Sequence, residues 1–501
     1  MNIAAGERMD TRDERSHHHG RASIPWLVLL AVVPGAVLRF ATMDVQSFGH
    51  DEAVTAGRVL MPGLADTLAI VDESERAPHL YYLVAWLWSR PFGVGEVGLR
   101  SLSALLGTAT IPFAYLAART LVSRRAAGLT AWLVAVSPFL IFYAQEARAY
   151  ALVAFFGTVA LWFFARALRE PRVRDLAGWA LVSCLALSTH YFAVFPFLAE
   201  AAILLWRAGN PVRVALFASL PIVAGAVLLP LALDQGGAHD AVMSSMPSYR
   251  DLATVVVQFA AGERLGVRGV YTLTPAMGAL LLAGLAALII VAGRQRCIGA
   301  VASGLVGVAA FVGPPLLAAV GGDQLAGEGI VSAKNAIGAV VPLSILAGFG
   351  LSLLSKTRLQ VIAVATICGV MATSVVASNF SSGLQRPDWR AVANAVDTSA
   401  PQAVVVSAGG DDPMLYYLRR RHATRMPTNG ARVREVALAL TAPGAIPTIL
   451  ASRELALSRE RSVGKFTLSE YRASHPVALT PEQLKVRPDQ TVLVLNAPGS
   501  R

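Results

Sequence analysis

Pro78-His-Leu-Tyr-Tyr-Leu-Val-Ala-Trp-Leu-Trp-Ser89 decides how the chain is arranged, because its apolar length falls at the edge of what crosses a bilayer. A span needs about 20 apolar residues. If this run crosses, every segment after it changes side. The basic loops argue against that. With the run flat on the outer face, Arg124/Arg125, then Arg166/Arg169/Arg172/Arg174, Arg207/Arg213, Arg294/Arg296 and Lys356/Arg358 all face the cytoplasm. That is the bias short basic loops obey. Tyr81, Tyr82, Trp86 and Trp88 also suit a helix lying at the interface. The run is therefore read as re-entrant or interfacial.

Outward from it, apolar runs recur at about 24–43, 99–121, 126–143, 150–168, 176–190, 192–208, 212–232, 273–292, 298–320, 335–354 and 358–378, which predicts eleven spans. The chain of 501 residues is 55% hydrophobic and only 15% charged, with mean hydropathy +0.54. Soluble domains carry roughly 25% charged residues, so this is an all-α polytopic membrane protein. The net charge of +11 comes from arginines clustered between apolar runs, which marks membrane orientation and excludes a nucleic-acid-binding face. Cys184, Cys297 and Cys368 are odd in number, lie in or beside apolar runs and have no metal-ligand spacing, so no disulfide framework is expected. His17-His18-His19 falls in a polar head, residues 1–23, expected to be cytoplasmic and disordered. The first apolar run is not followed by a small-residue cleavage site, so no cleavable signal is expected.

With eleven spans the last exits outward, and residues 379–501 form an extracytoplasmic α/β domain. There Asp388–Val396 and Pro413–Arg421 read as helices, and Ala403–Ser407, Pro447–Ala451 and Thr491–Leu495 as strands. No glycine-rich phosphate fingerprint and no internal repeat is present. The membrane unit occupies residues 24–378.

Ser47-Phe-Gly-His50-Asp51-Glu52-Ala-Val54 places two adjacent carboxylates and a histidine just past the first span. On this topology Asp51, Glu52, Glu146, Arg148, His190 and Lys334 reach one membrane interface from separate loops. Such a convergence suits a lipid-linked substrate: the departing phosphate needs cations and an incoming hydroxyl needs a carboxylate. Gln145 and Arg148 share one helix face, Glu146 and Tyr150 another. Lysine occurs only at 334, 356, 465 and 485, so a lone ammonium before a late outer span is either a phosphate ligand or a headgroup anchor. Asp51-Glu52 is either a catalytic pair or an ordinary acidic helix start. Arg100 opens a helix, the wrong end for its dipole, which favours an acidic or phosphate partner. His190 reads as a satisfied interfacial histidine more readily than as a catalyst, and Glu263-Arg264 as a local ion pair. Two carboxylates side by side could hold a divalent cation through its waters, and the cations could do the same work, so a metal stays open.

Five segments in register resemble the membrane-embedded polyprenyl-phosphate-sugar glycosyltransferases, which include the protein mannosyltransferases and the lipid A aminoarabinose transferases. They are Phe48–Ala53, Ala77–Leu83, Glu96–Gly107, Ser137–Leu152 with Ser188–Phe192, and Lys334–Pro342. The resemblance implies a GT-C fold, an acid in the first outer loop acting as base, and inversion at the anomeric carbon. It places Asp51 as catalytic acid with Glu52 orienting acceptor or water, and Arg100, Arg148 and Lys334 on the lipid phosphate. His50, His79, Tyr82, Gln145, Glu146, Tyr150, His190 and Tyr191 are expected to line the cavity. The chain departs from the family at Ala77-Pro78-His79, where His-Pro-Pro is usual, and at Lys334, often Arg. The tail resembles soluble outer domains of bacterial members.

The expected function is an inverting transfer of a sugar, mannose-like or another monosaccharide, from a polyprenyl-phosphate donor to an extracytoplasmic glycan, lipid or protein. The expected place is the cytoplasmic membrane, with active site and tail outside. Alanine- and arginine-rich, lysine-poor usage points to a GC-rich bacterium and so to a bacterial polyprenyl carrier. The alternative is a transporter or flippase for lipid-linked sugars. Transporters usually carry midplane charges and repeat symmetry, and this sequence has neither.

Overall fold

The computed structural model describes residues 26–237, 248–263, 274–325, 331–396, 401–419, 422–441, 450, 455–485 and 487–495. It begins with helix α1 (Trp26–Phe40). The first long loop folds into α2 (His50–Val54), a π-turn (Thr55–Val59), α3 (Leu64–Ser74) and α4 (Leu80–Phe92). There follow α5 (Glu96–Leu121), α6 (Arg124–Val136), α7 (Pro138–Ala144), α8 (Tyr150–Arg169), α9 (Val173–Leu187), α10 (Val194–Arg207) and α11 (Pro211–Gly237). The later half carries α12 (Tyr249–Ala261), α13 (Thr274–Arg294), α14 (Ile298–Leu325), a 3₁₀ turn (Ala333–Ala339), α15 (Val340–Ser352) and α16 (Thr357–Phe380).

Alanines give the bundle its close contacts. Ala114, Ala117 and Ala118 of α5, Ala127 and Ala131 of α6 and Ala160 and Ala165 of α8 are all buried in one core. Without a hydrophobic drive between helices in lipid, small side chains let backbones approach closely. α11, α13 and α16 leave most of their apolar surface exposed, which is the surface a bilayer would cover.

Among the described residues seven helices are long and apolar enough to cross a membrane, eight if the bent pair α6–α7 is one span. The expected count of eleven is not reproduced among the described residues: α9 and α10 have only 15 and 14 residues, and α1 is described only from Trp26 onward. The Pro78–Ser89 run forms α4, 13 residues or about 20 Å, too short for a hydrocarbon core of about 30 Å.

The break between α6 and α7 turns the chain by 54°. Pro138 lacks the N–H that would meet Val134 O. Arg39, fully buried in α1, supplies donors in its place: Nη2 to Val134 O at 3.0 Å and Nη1 to Ala135 O at 2.8 Å.

Beyond the bundle, α17 (Trp389–Ala395) is capped by Asp388, whose carboxylate accepts from Ala391 N–H, and α18 is Asp411–Leu418. Six strands form one sheet: β1 (Gln402–Val406), β2 (Thr424–Arg425), β3 (Ala431–Leu440), β4 (Leu455–Val463), β5 (Phe466–Leu479) and β6 (Thr491–Leu495). Their order is β2-β6-β1-β3-β5-β4, with only β1 and β3 parallel. The helices at 389 and 411 and the strands at 402 and 491 lie where the sequence predicts them. The strand expected at Pro447–Ala451 falls almost wholly outside the described residues. β3, β4 and β5 were not anticipated. β4 is an exposed, charge-bearing edge strand, Ser458-Arg-Glu-Arg-Ser462, with no apolar alternation to announce it.

Candidate active site

Asp51 lies in the first turn of α2 and lines two cavities, of about 440 and 640 Å³. Both are also lined by His50, Tyr150 and Lys334, so these four residues form the wall between them. Lys334 Nζ is 3.8 Å from Asp51 Oδ2 and lies 5.8 Å from the centre of the Tyr150 ring. Burial alone would raise the Asp51 carboxyl, but Arg148, Lys334, His50 and Arg386 outweigh it and hold the pKa below the usual carboxylate range. The group is therefore an anion facing cations, with its oxygens open to the cavities.

The larger cavity holds Arg148, Tyr82, His190 and Tyr191, together with Glu75, Arg58 and Arg76. Arg148 Nη1 donates to Glu75 Oε2 at 2.9 Å and Thr55 Oγ1 at 3.1 Å. The same Glu75 oxygen accepts from the Tyr82 hydroxyl at 2.5 Å. Tyr191 donates to Gln235 at 2.9 Å. His190 Nδ1 accepts from Phe192 N–H at 3.3 Å, and burial, helped by Lys334 and Arg148, pushes the imidazole down to about 4. It stays neutral. The smaller cavity holds Glu146, Tyr143, Glu263 and Arg386. Burial raises the Glu146 pKa, against the pull of Arg386 and with the push of Glu52 and Asp51.

Four expectations need correction. Glu52 does not face a cavity: it is fully buried, and its oxygens accept from Gly49 N–H, Ala147 N–H, Arg100 Nε and Nη2, and Arg386 Nη1. Burial would raise its pKa, but Arg100 and Arg386 bring it down to about 2. With every lone pair engaged, the Asp51-Glu52 pair cannot chelate a cation. Arg100 is likewise spent. Its five N–H groups go to Glu52, again to Glu52, and to the carbonyls of Met43, Gln46 and Ser47, so none is left for a phosphate. Gln145 caps α1 instead of lining a cavity, its amide donating to Leu38 O, Arg39 O and Thr42 Oγ1. His79 pairs with Asp72 at 2.7 Å, away from both cavities. Of the Glu263-Arg264 pair, Arg264 lies outside the described residues, and Glu263 accepts from Tyr143 OH at 3.2 Å.

Two functional residues escaped sequence reasoning. Glu75 sits among five polar residues of the first loop and has no motif around it. Arg386 belongs to the segment after the last helix, yet it bridges Glu52 and Glu146 and stacks on Phe142, 4.8 Å from the ring centre. Neither lies in a motif that would single it out.

A helical membrane unit whose loops converge on one acid beside a C-terminal sheet domain is the GT-C glycosyltransferase architecture, and this multi-pass membrane protein has that fold. Two comparisons with known structures bear this out. Over 90% of the chain and 99% of the other, it superposes on ArnT from Cupriavidus metallidurans bound to undecaprenyl phosphate, with TM-score 0.56 and 15% identity. The apo form of that protein gives TM-score 0.55 and 14% identity over 92% and 99%. Residues 76–233 match the family model described as dolichyl-phosphate-mannose-protein mannosyltransferase. No curated protein matches the chain by sequence.

Proposed function

We propose that the protein transfers a sugar from a polyprenyl-phosphate donor to an acceptor hydroxyl on the extracytoplasmic side of the cytoplasmic membrane. The observation that carries this is the position of Asp51: an open carboxylate between two cavities, 3.8 Å from an ammonium. The donor phosphate occupies the larger cavity against Lys334 and the guanidinium of Arg148. The acceptor enters through the smaller one. Its hydroxyl gives its proton to Asp51 while its oxygen attacks the anomeric carbon. The carbon–oxygen bond to phosphate breaks with its electron pair going to the leaving polyprenyl phosphate, and configuration inverts. Cations aimed at the departing oxygen stabilise charge that develops in the transition state.

The donor also prepares the base. In the free protein Lys334 and Arg148 depress the Asp51 pKa. A bound phosphate neutralises those cations, so Asp51 becomes a stronger base only when the donor is in place. Arg386, held on Glu52 and Glu146, orders the acceptor side.

The test is transfer with Asp51→Asn. Transfer should fall by a factor on the order of 10² to 10⁴, the contribution of a positioned base, with binding of polyprenyl phosphate retained. Unchanged turnover would refute the role of Asp51.

A further inference from the structure

A second group of ligating side chains lies beside Asp51, at the seam between the first loop and the sheet domain. His50 of α2 faces Asp411 and Asp412 of α18, with Nδ1 at 3.9 Å from Asp411 Oδ1 and 3.7 Å from Asp412 Oδ2. One ligand atom from each lies within 4.8 Å of the other two. We propose that His50, Asp411 and Asp412 bind a divalent cation of the Zn²⁺ or Mn²⁺ class.

The spacing argues for an ion rather than for direct pairing. Both imidazole–carboxylate distances exceed hydrogen-bond length. Ligands bound at about 2.0–2.1 Å in a tetrahedral site stand about 3.3–3.4 Å apart, so small side-chain rotations close the set around an ion. Asp412 is only 8% exposed, its Oδ2 faces His50 Nδ1 across this gap, and with His50 it also lines the larger cavity. The outward oxygens are already held: Arg425 Nη2 lies 2.6 Å from Asp411 Oδ2 and 3.4 Å from Asp412 Oδ1. A metal's carboxylate ligands are commonly oriented by outer partners of this kind. Arg425 is itself half exposed, so its charge is screened and does not replace an ion in the gap. One imidazole and two carboxylates leave coordination positions open, and they suit borderline cations.

The ion would join the soluble domain to the residue preceding Asp51. That seam already carries Tyr417 OH accepting from Phe48 N–H at 2.7 Å and Tyr416 OH donating to Val94 O at 3.1 Å. A cation here ties α2 to α18. The assignment does not depend on the transfer reaction, and its test does not measure transfer.

The full chain is purified in detergent, stripped with EDTA, desalted, and titrated separately with Zn²⁺ and Mn²⁺. Wild type should hold one equivalent more than either His50→Gln or Asp411→Asn, each of which keeps the wild-type circular dichroism. The head histidines at 17–19 are common to all three proteins and cancel in that difference. Bound Mn²⁺ should show imidazole ¹⁴N modulation by pulsed EPR in wild type, lost in His50→Gln. Equal stoichiometry in all three proteins, no metal retained by wild type, or ¹⁴N modulation that persists in His50→Gln would each overturn the proposal.

Discussion

Asp51 and Glu52 are neighbours in sequence with opposite employments. Asp51 has its oxygens free and a cation at a distance. Glu52 is locked by five donors from four parts of the chain: its own loop, Arg100 of α5, the 145–148 loop and Arg386. Breaking a buried pair by removing one charge costs about 3–5 kcal/mol, because its partner stays buried without compensation. Glu52→Gln should therefore lower thermal stability markedly, while Asp51→Asn leaves the melting temperature near wild type. Differential scanning fluorimetry of both variants in detergent makes the comparison, and equal melting temperatures would contradict it. The sequence marks this acidic pair but not its division of labour, since that depends on residues about 50, 95 and 334 positions away. His190 supplies a pH prediction. Its pKa in the folded protein, about 4, lies below the ordinary 6.5, so the unfolded chain binds more protons between these values. Stability is then complete above about pH 6.5 and is lost as pH falls toward 4. The loss from pH 7 to 5 is about 2 kcal/mol. His190→Asn should flatten that part of the melting-temperature profile; an unchanged slope would show that His190 is not the titrating group.

Among the elements, the broken span α6–α7 is the most informative. Pro138 is plain in the sequence as a membrane kink, but the arginine that satisfies the carbonyls it frees lies about 100 residues earlier in α1. Arg39→Met leaves Val134 O and Ala135 O without those donors, each lost bond costing about 1–3 kcal/mol. Adding Pro138→Ala returns an N–H to Val134 O and should recover part of that loss. Thermal unfolding of the single and double variants tests this, and a double variant no more stable than the single would refute it. α4 is a 13-residue helix, as the shortness of its apolar run predicts. α9 and α10 were harder: as apolar runs they looked long enough, but the turn and the 3₁₀ stretch Tyr191–Ala193 between them trim their regular helix. In the sheet domain β1 and β6, buried on both faces, are continuous apolar runs and were readable. β4 and much of β5 carry charges outward, and their partners are set by register, which no local pattern records.

At the scale of the whole molecule the C-terminal residues from Arg386 onward reach the candidate site. Arg386 reaches Glu52 and Glu146, Tyr417 meets Phe48, and Arg390 pairs with Glu96 at 2.6 Å. Loops far apart in sequence are drawn together, so Asp51 faces Lys334 and the Arg148 cavity from a frame built elsewhere. The order of motifs along the chain signalled the membrane unit and its acid. That Arg100 has no donor left for a phosphate became readable only from the hydrogen bonds, while Arg148 and Lys334 line the cavity proposed for it. The most direct measurement is a cryo-EM structure of the full chain in nanodiscs with undecaprenyl phosphate. Phosphate density within hydrogen-bond reach of Lys334 Nζ and the Arg148 guanidinium, in the cavity that Asp51 lines, is the predicted result. Phosphate bound elsewhere, with these two cations still turned only toward Asp51 and Glu75, would contradict the account.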